Sequence, residues 1–401
     1  MNVTTGKIVT PKKILLMSVL LGFFADIKCV NAFLVAINPS FEGTVMSILY
    51  AITVSLLLIV GIQSGFKKSI NPKTLLIPIY CLLLYIITIF LGEKPRVAFV
   101  IFCVFTLASF FIPLFIKIDV RLFLKATMFF SIFSLLKIGE IFVFTYDYNE
   151  VISMGSSYAY LIPVLATIVY MAYYFREEKG FQKILTVFLT ICNSVFLFYL
   201  FAYGSRGPIV SIALFAFFFF VIKKNTNKGV TFSTKSIVFG LITIILLFVF
   251  FVPAIQWLMS IGVNSYSLQK MLFLFGEGDI SNGRNSLTQL AWNGFVESPL
   301  YGHGMDLFGN RYSDASYPHN FILQILYDGG IIFFLILLVP SFTRMKKILT
   351  NCDYNTFVVF LFLVCVSVPG ALFSGDLWEN SLLWLFFGYL FSNNFVFKNV
   401  I

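Results

Sequence analysis

The sequence predicts an all-α polytopic membrane protein, and three observations carry that prediction. Hydrophobic residues make up 59% of the 401 and charged residues only 11%, more apolar surface than a soluble core of this length uses. The apolar residues gather into twelve runs separated by short charged or Gly/Pro-containing breaks, and a helix needs about 20 such residues to cross a bilayer core. The runs also lack the ten-residue alternation of barrel strands. Backbone polar groups in lipid must then be paired within each segment, which only a helix achieves.

The runs begin near Ile14, Thr44, Thr74, Val97, Leu122, Ser157, Ile184, Gly207, Ser236, His319, Tyr354 and Ser381. The first follows Lys12 and Lys13 and is interrupted by Asp26, Lys28 and Asn31, which reads as an uncleaved anchor and not as a secretory signal. Basic residues then alternate in density from one break to the next. With both termini cytoplasmic, 20 of the 28 fall on the inner side, among them Lys67, Lys68, Lys73, Lys117, Arg121, Arg176, Lys223, Lys224 and Arg344. The outer side receives Lys94, Arg96, Arg206, Lys270, Arg284 and Arg311, the asymmetry of a positive-inside topology. That asymmetry accounts for most of the net charge of +10 without a nucleic-acid partner, because the basic residues form no single patch. Residues 1–401 therefore read as one membrane domain with an external insert at 258–318, between the ninth and tenth spans.

The six cysteines are dispersed and lie outside that insert, which suggests packing roles and neither a disulfide framework nor a metal site. Two histidines without a nearby cysteine cannot build a zinc site of the usual ligand set. External Glu277, Asp279, Glu297, Asp306 and Asp314 have no calcium-loop spacing. No phosphate-binding G-x-x-x-x-G-K-[ST] loop and no G-x-S-x-G nucleophile elbow occurs.

Chemistry is sought where polarity concentrates. The stretch from Trp257 to Pro318 carries Trp292, Phe295, Leu300, Tyr301, Phe308, Tyr312 and Tyr317, enough apolar surface to fold against the membrane domain. Within it, Leu287, Leu290, Ala291 and Phe295 have helical spacing over Asn285 to Val296, with Arg284 at the start. His319 follows Pro318, which fixes the approach to the next span, and an imidazole is suited to take a proton from a hydroxyl. His303, between Gly302 and Gly304, suits a tight turn. Arg206 lies in Tyr203-Gly204-Ser205-Arg206-Gly207-Pro208 at the start of a short span. It can snorkel to headgroup phosphates, or its planar fork can hold an anionic substrate group. Lys137 and Glu140, one helical turn apart, form either an internal ion pair or part of an ion path.

The order Ser205-Arg206-Gly207, then Gly283-Arg284 with Trp292 and Ser298-Pro299-Leu300-Tyr301-Gly302-His303-Gly304, then Pro318-His319-Asn320 with Gly330 resembles the O-antigen polymerase and O-antigen ligase superfamily (Wzy and WaaL). The Gly207-Pro208 pair departs from the small residues more usual there. The resemblance implies glycosyl transfer from an undecaprenyl-diphosphate-linked oligosaccharide to an acceptor hydroxyl on the outer face of a bacterial cytoplasmic membrane. It implies neither a cofactor nor a metal, and a partner protein that sets chain length would be expected alongside membrane lipid. By the same resemblance His319 is the base, Arg206 and Arg284 hold the diphosphate, and Asn320, Arg311 and His303 are secondary candidates. The polymerase is favoured over the ligase because the resemblance is to divergent, phenylalanine-rich members of this length. A lipid-linked oligosaccharide flippase or transporter, with Lys137, Glu140 and Asp26 along a path, is the reading from another class.

Overall fold

A computed structural model describes residues 10–38, 41, 44–64, 72–135, 154–202, 206–225, 229–232, 234–262, 268–269, 272–273, 284–312, 315–351 and 354–392. The helices are α1 (Pro11–Ile37), α2 (Thr44–Gln63), α3 (Leu76–Phe90), α4 (Phe99–Phe115, with a π turn over Phe102–Ala108), α5 (Val120–Phe130), α6 (Met154–Tyr173), α7 (Gly180–Ala202) and α8 (Arg206–Val221). After these come α9 (Thr234–Ser260), α10 (Arg284–Glu297), α11 (Phe308–Arg311), α12 (Phe321–Asn351), α13 (Tyr354–Phe373) and α14 (Ser381–Phe391). Among the described residues, six stretches are long and apolar enough to cross a bilayer: Pro11–Val35, Val45–Gln63, Pro72–Phe90, Gly180–Phe201, Phe321–Thr350 and Asn355–Phe373. Four shorter apolar helices accompany them, Phe99–Phe115, Ser157–Tyr173, Gly207–Phe219 and Ser381–Phe391. The chain is thus a multi-pass membrane protein.

One part of the sequence reading is corrected. The break after α8 is not a plain loop, because β1 (Ile222–Asn225) and β2 (Gly229–Phe232) pair antiparallel with Ile222 opposite Phe232 and Asn225 opposite Gly229. Val230 and Thr231 are β-branched and favour extended backbone, so a hairpin forms where the lysines signalled only a cytoplasmic connection.

Helix starts follow local chemistry. Pro11 opens α1, where its missing N–H costs nothing. Asp119 caps α5 by accepting from the Leu122 amide at 3.1 Å, and Asn380 caps α14 by accepting from Leu383 at 3.1 Å. Between helices in lipid there is little hydrophobic drive, so close packing takes over. At Gly22 a Cβ would stand 2.7 Å from the Ala126 Cβ, so only glycine lets α1 and α5 approach this closely. Phe333, Trp378 and Trp384 stack in series, with centroids 5.7 Å and 5.9 Å apart and Phe102 edge-on to Trp378.

The most consequential feature of the fold is a break inside α12. Gly330 has φ 63° and ψ −162°, and the helix divides there. A broken helix at membrane depth needs new partners for its freed backbone groups, and the turn after α10 supplies them. The amides of His303 and Gly304 donate to the carbonyls of Tyr327 (2.8 Å) and Asp328 (2.9 Å), while Ile331 and Ile332 donate to Pro299 (2.8 Å) and Leu300 (3.4 Å). Ser298–Gly304 therefore plugs the break. Gly302, at φ 69°, lies so close that a Cβ would sit 2.5 Å from the Asp328 carbonyl carbon. Gly302→Ala is expected to destabilise the protein by about 1–3 kcal/mol from the left-handed backbone alone, read as a lowered thermal midpoint in detergent; an unchanged midpoint would mean that the plug is dispensable.

Candidate functional site

His319 occupies the single residue between Pro318 and the cap of α12. The Asn320 side-chain oxygen accepts from Ile322 (3.0 Å) and Leu323 (3.2 Å), so the helix start is fixed. His319 itself has φ 57°, and among described non-glycine residues only Asp306, at φ 55°, shares a positive φ. Left-handed backbone at a non-glycine residue costs energy and persists only where surrounding contacts enforce it. Here the enforcing contacts are visible. The imidazole packs on the Tyr317 ring at 4.4 Å between centroids, and the Tyr317 hydroxyl donates to the Ser374 carbonyl at 2.9 Å. His319 Nδ1 is buried and has no hydrogen-bond partner. Burial first, and then the positive charge of Arg284, hold the imidazole below its ordinary pKa; the Ser374 backbone and Asp376 oppose them in part. The ring is therefore neutral at physiological pH, with a nitrogen free to accept a proton.

Arg284 opens α10 and donates to the Phe373 carbonyl, next along the chain from the Ser374 carbonyl that holds Tyr317. Two adjacent carbonyls at the end of α13 thus anchor one candidate diphosphate ligand and the ring beneath the candidate base. Arg206 is the first residue of α8, and its side chain lies outside the described residues, as do Ser205, Gly283, Lys137 and Glu140. Its neighbour can be placed. A Cβ on Gly207 would meet the Tyr158 ring, its Cζ at 2.6 Å, and one on Gly370 would stand 2.9 Å from Tyr158 Cε1. Tyr158 fills the space between the start of α8 and the end of α13, within the field of Arg284. The start of α8, the start of α10 and the approach to α12 converge on the end of α13.

The secondary candidates have structural tasks. Besides capping by Asn320, His303 has its Nε2 2.7 Å from the Gly294 carbonyl and its ring 4.8 Å from that of Tyr327, as a turn residue would. Exposed Arg311 pairs with Glu297 at 3.5 Å.

Behind Tyr317 lies a group that sequence reasoning missed. Arg96, in the α3–α4 connection, reaches over the Tyr317 ring at 5.8 Å and donates through Nη2 to Asp376 Oδ2 at 2.8 Å, with Nε 3.6 Å from Asp306 Oδ2. Asp306 also accepts from the Val97 amide at 2.7 Å, and Asp376 accepts from Trp378 at 2.6 Å and Glu379 at 3.3 Å. Burial pushes both carboxyls above their ordinary range; for Asp306 the neighbouring Asp376 adds to the rise, and Arg96 opposes it in both. The Tyr317 ring thus contacts both the Arg96 guanidinium and the His319 imidazole. Arg96 and Asp376 were invisible as a pair because they come from connections 280 residues apart. Asp306 and Tyr317 carried a signal only as one acid and one aromatic among several between Trp257 and Pro318.

A neutral imidazole, a nearby guanidinium and an enforced backbone can remove a proton from a hydroxyl while favouring negative charge on a neighbouring group. Residues 188–338 match the family model Wzy_C, described as O-antigen ligase. The match spans Arg206, Arg284, His303, His319 and Gly330, whereas Arg96 and Asp376 lie outside it. No curated protein matches the chain.

Proposed function

From the O-antigen ligase domain that residues 188–338 carry, we propose that the protein is a membrane glycosyltransferase that polymerises undecaprenyl-diphosphate-linked oligosaccharide repeat units into a surface polysaccharide. The observation that supports this reading most strongly is His319, held neutral within the field of Arg284 with a buried Nδ1 that no protein group occupies. In the proposed reaction His319 takes the proton of an acceptor sugar hydroxyl as its oxygen bonds to the anomeric carbon of the donor. The bond from that carbon to the diphosphate oxygen breaks, and the electron pair leaves with undecaprenyl diphosphate. The proton passes from the imidazole to water. Arg284 and Arg206 are assigned to the diphosphate, where guanidinium donors stabilise the charge that develops on the leaving group. The topology that goes with this reading has twelve crossings, both termini cytoplasmic and residues 258–318 on the outer face of a bacterial cytoplasmic membrane. A chain-length-setting partner would act from that side.

The ligase reading, transfer of finished glycan to lipid A core, has the printed description of the matched family in its favour. A gel profile of surface glycan from cells lacking the protein separates the two. Acceptors capped with one repeat unit and no ladder support the polymerase; loss of the single-unit band together with accumulation of lipid-linked glycan supports the ligase.

The pH dependence has a definite sign. A base works only when deprotonated, so the rate is lost as pH falls through the folded-state pKa of His319, which lies below its ordinary 6.5. The acid limb of kcat/KM is therefore expected below that value. A limb well above it would remove His319 as the titrating base.

A further inference from the structure

We infer that the C-terminal end of α10 and the turn after it form a foot embedded at the headgroup–acyl boundary of the bilayer, with Trp292, Val296, Leu300 and Tyr301 in contact with lipid. These four side chains are 50%, 58%, 55% and 68% exposed. They form one end of the helix and its exit, with Asn293 the exposed polar neighbour among them, whereas the exposed side chains of the first turns are all polar, Asn285, Ser286, Thr288 and Gln289. The exposed charge beside them, Glu297, pairs with Arg311. An apolar patch of this kind on an outer segment marks a contact with something apolar.

Two features of the backbone identify that contact as lipid. The turn is bonded directly into a membrane span, since Ile331 and Ile332 of α12 donate to Pro299 and Leu300. From Ile331 the exposed Leu335, Val339 and Phe342 follow at helical spacing, so the lipid-facing strip of that span runs up to the turn. On its other side the turn ends against α3, where the Met305 amide donates to Thr88 Oγ1 at 2.9 Å. Thr88 lies just below Phe90 and Leu91, which are 87% and 72% exposed at the outer end of α3. The patch is therefore continuous with the lipid-facing surface at two places. Its composition, Trp and Tyr beside aliphatic side chains, is that of a membrane–water interface.

The foot has a geometric consequence. The 14 residues of α10 span about 21 Å at 1.5 Å per residue, and Arg284 stands at the far end. A foot fixed in the leaflet fixes the distance of Arg284 from it. The inference does not depend on the reaction assigned to the site.

Fluorescence tests it on the full-length protein. Of the four tryptophans, Trp378 and Trp384 are buried, which leaves Trp257 and Trp292 exposed. Trp257→Phe protein is reconstituted into phosphatidylcholine vesicles whose acyl chains carry bromine at different depths, and Trp257→Phe/Trp292→Phe protein supplies the background. The emission due to Trp292 is expected to be largely lost when bromine lies near the carboxyl end of the chain, less when it lies near the methyl end, and to resist aqueous iodide. Quenching by iodide with no loss to bromolipid would overturn the inference and leave the patch facing water. Resistance to both quenchers would also overturn it, since another part of the protein, or a second copy, would then cover Trp292.

Discussion

Replacing His319 with alanine is expected to lower glycosyl transfer by about 10²–10⁴-fold, with the protein still inserted and at normal abundance. The side chain is half-buried, its Nδ1 makes no hydrogen bond, and its main packing contact is with Tyr317. Removing it deletes a proton acceptor together with the ring contact to Tyr317, so a conservative variant is needed to separate the two. His319→Gln keeps polarity and approximate volume but cannot take a proton at neutral pH, so it should resemble alanine in rate and wild type in stability. Measuring turnover with a saturating lipid-linked donor makes the distinction. Retention of wild-type turnover by His319→Gln would reduce His319 to a packing residue and reopen the transporter reading.

The second large effect is expected at Arg96. Its guanidinium joins Asp306 and Asp376, whose side chains are almost fully buried, and it lies behind Tyr317. Arg96→Ala leaves two neighbouring carboxyls without their cation. Breaking a buried pair costs about 3–5 kcal/mol; the cost here should fall at or below the lower end, because Arg96 is one third exposed and the carboxyls can neutralise by taking up protons. That escape sets the pH dependence. Both carboxyls already stand above their ordinary 3.8 in the folded protein, and loss of Arg96 raises them further. A group with a raised folded pKa contributes stability below its unfolded pKa and loses it as pH rises through the folded value. The stability deficit of Arg96→Ala should therefore be small well below the folded value of Asp306, about 8, and grow as pH rises through it. Thermal midpoints of wild type and variant across that range test it, and a deficit independent of pH would contradict the carboxylate account. Arg96→Lys should recover part of the stability, since an ammonium cannot reproduce the fork that reaches two carboxyls and a ring.

What the sequence made legible follows from how local each signal is. Helix α10 was expected over Asn285 to Val296 and runs from Arg284 to Glu297, because a 3.6-residue pattern is written in neighbouring residues. Pro318 ahead of His319 suggested a constrained approach to the next span, but the positive φ of His319 is set by contacts that sequence spacing does not encode. The Gly302, Gly304 and Gly330 pattern was visible as a motif, but its reason was not. The plugging of a broken helix by a turn is a backbone pairing across two segments, and no periodicity encodes it. The Arg96, Asp306 and Asp376 cluster was equally hidden, since each comes from a different connection. The pairing of Ile222–Asn225 with Gly229–Phe232 is equally faint in the sequence, because lysines that mark a cytoplasmic connection sit among only a few β-branched residues.

A reconstituted reaction tests directly which acceptor the protein uses. Purified protein in vesicles is given only undecaprenyl-diphosphate-linked repeat units, and both the lipid-linked glycan and the released undecaprenyl diphosphate are followed. Lipid-linked chains longer than one unit are expected, with one undecaprenyl diphosphate released for each unit added and neither product formed by His319→Ala. Transfer that requires a lipid A core acceptor, with no elongation in its absence, would contradict the polymerase reading.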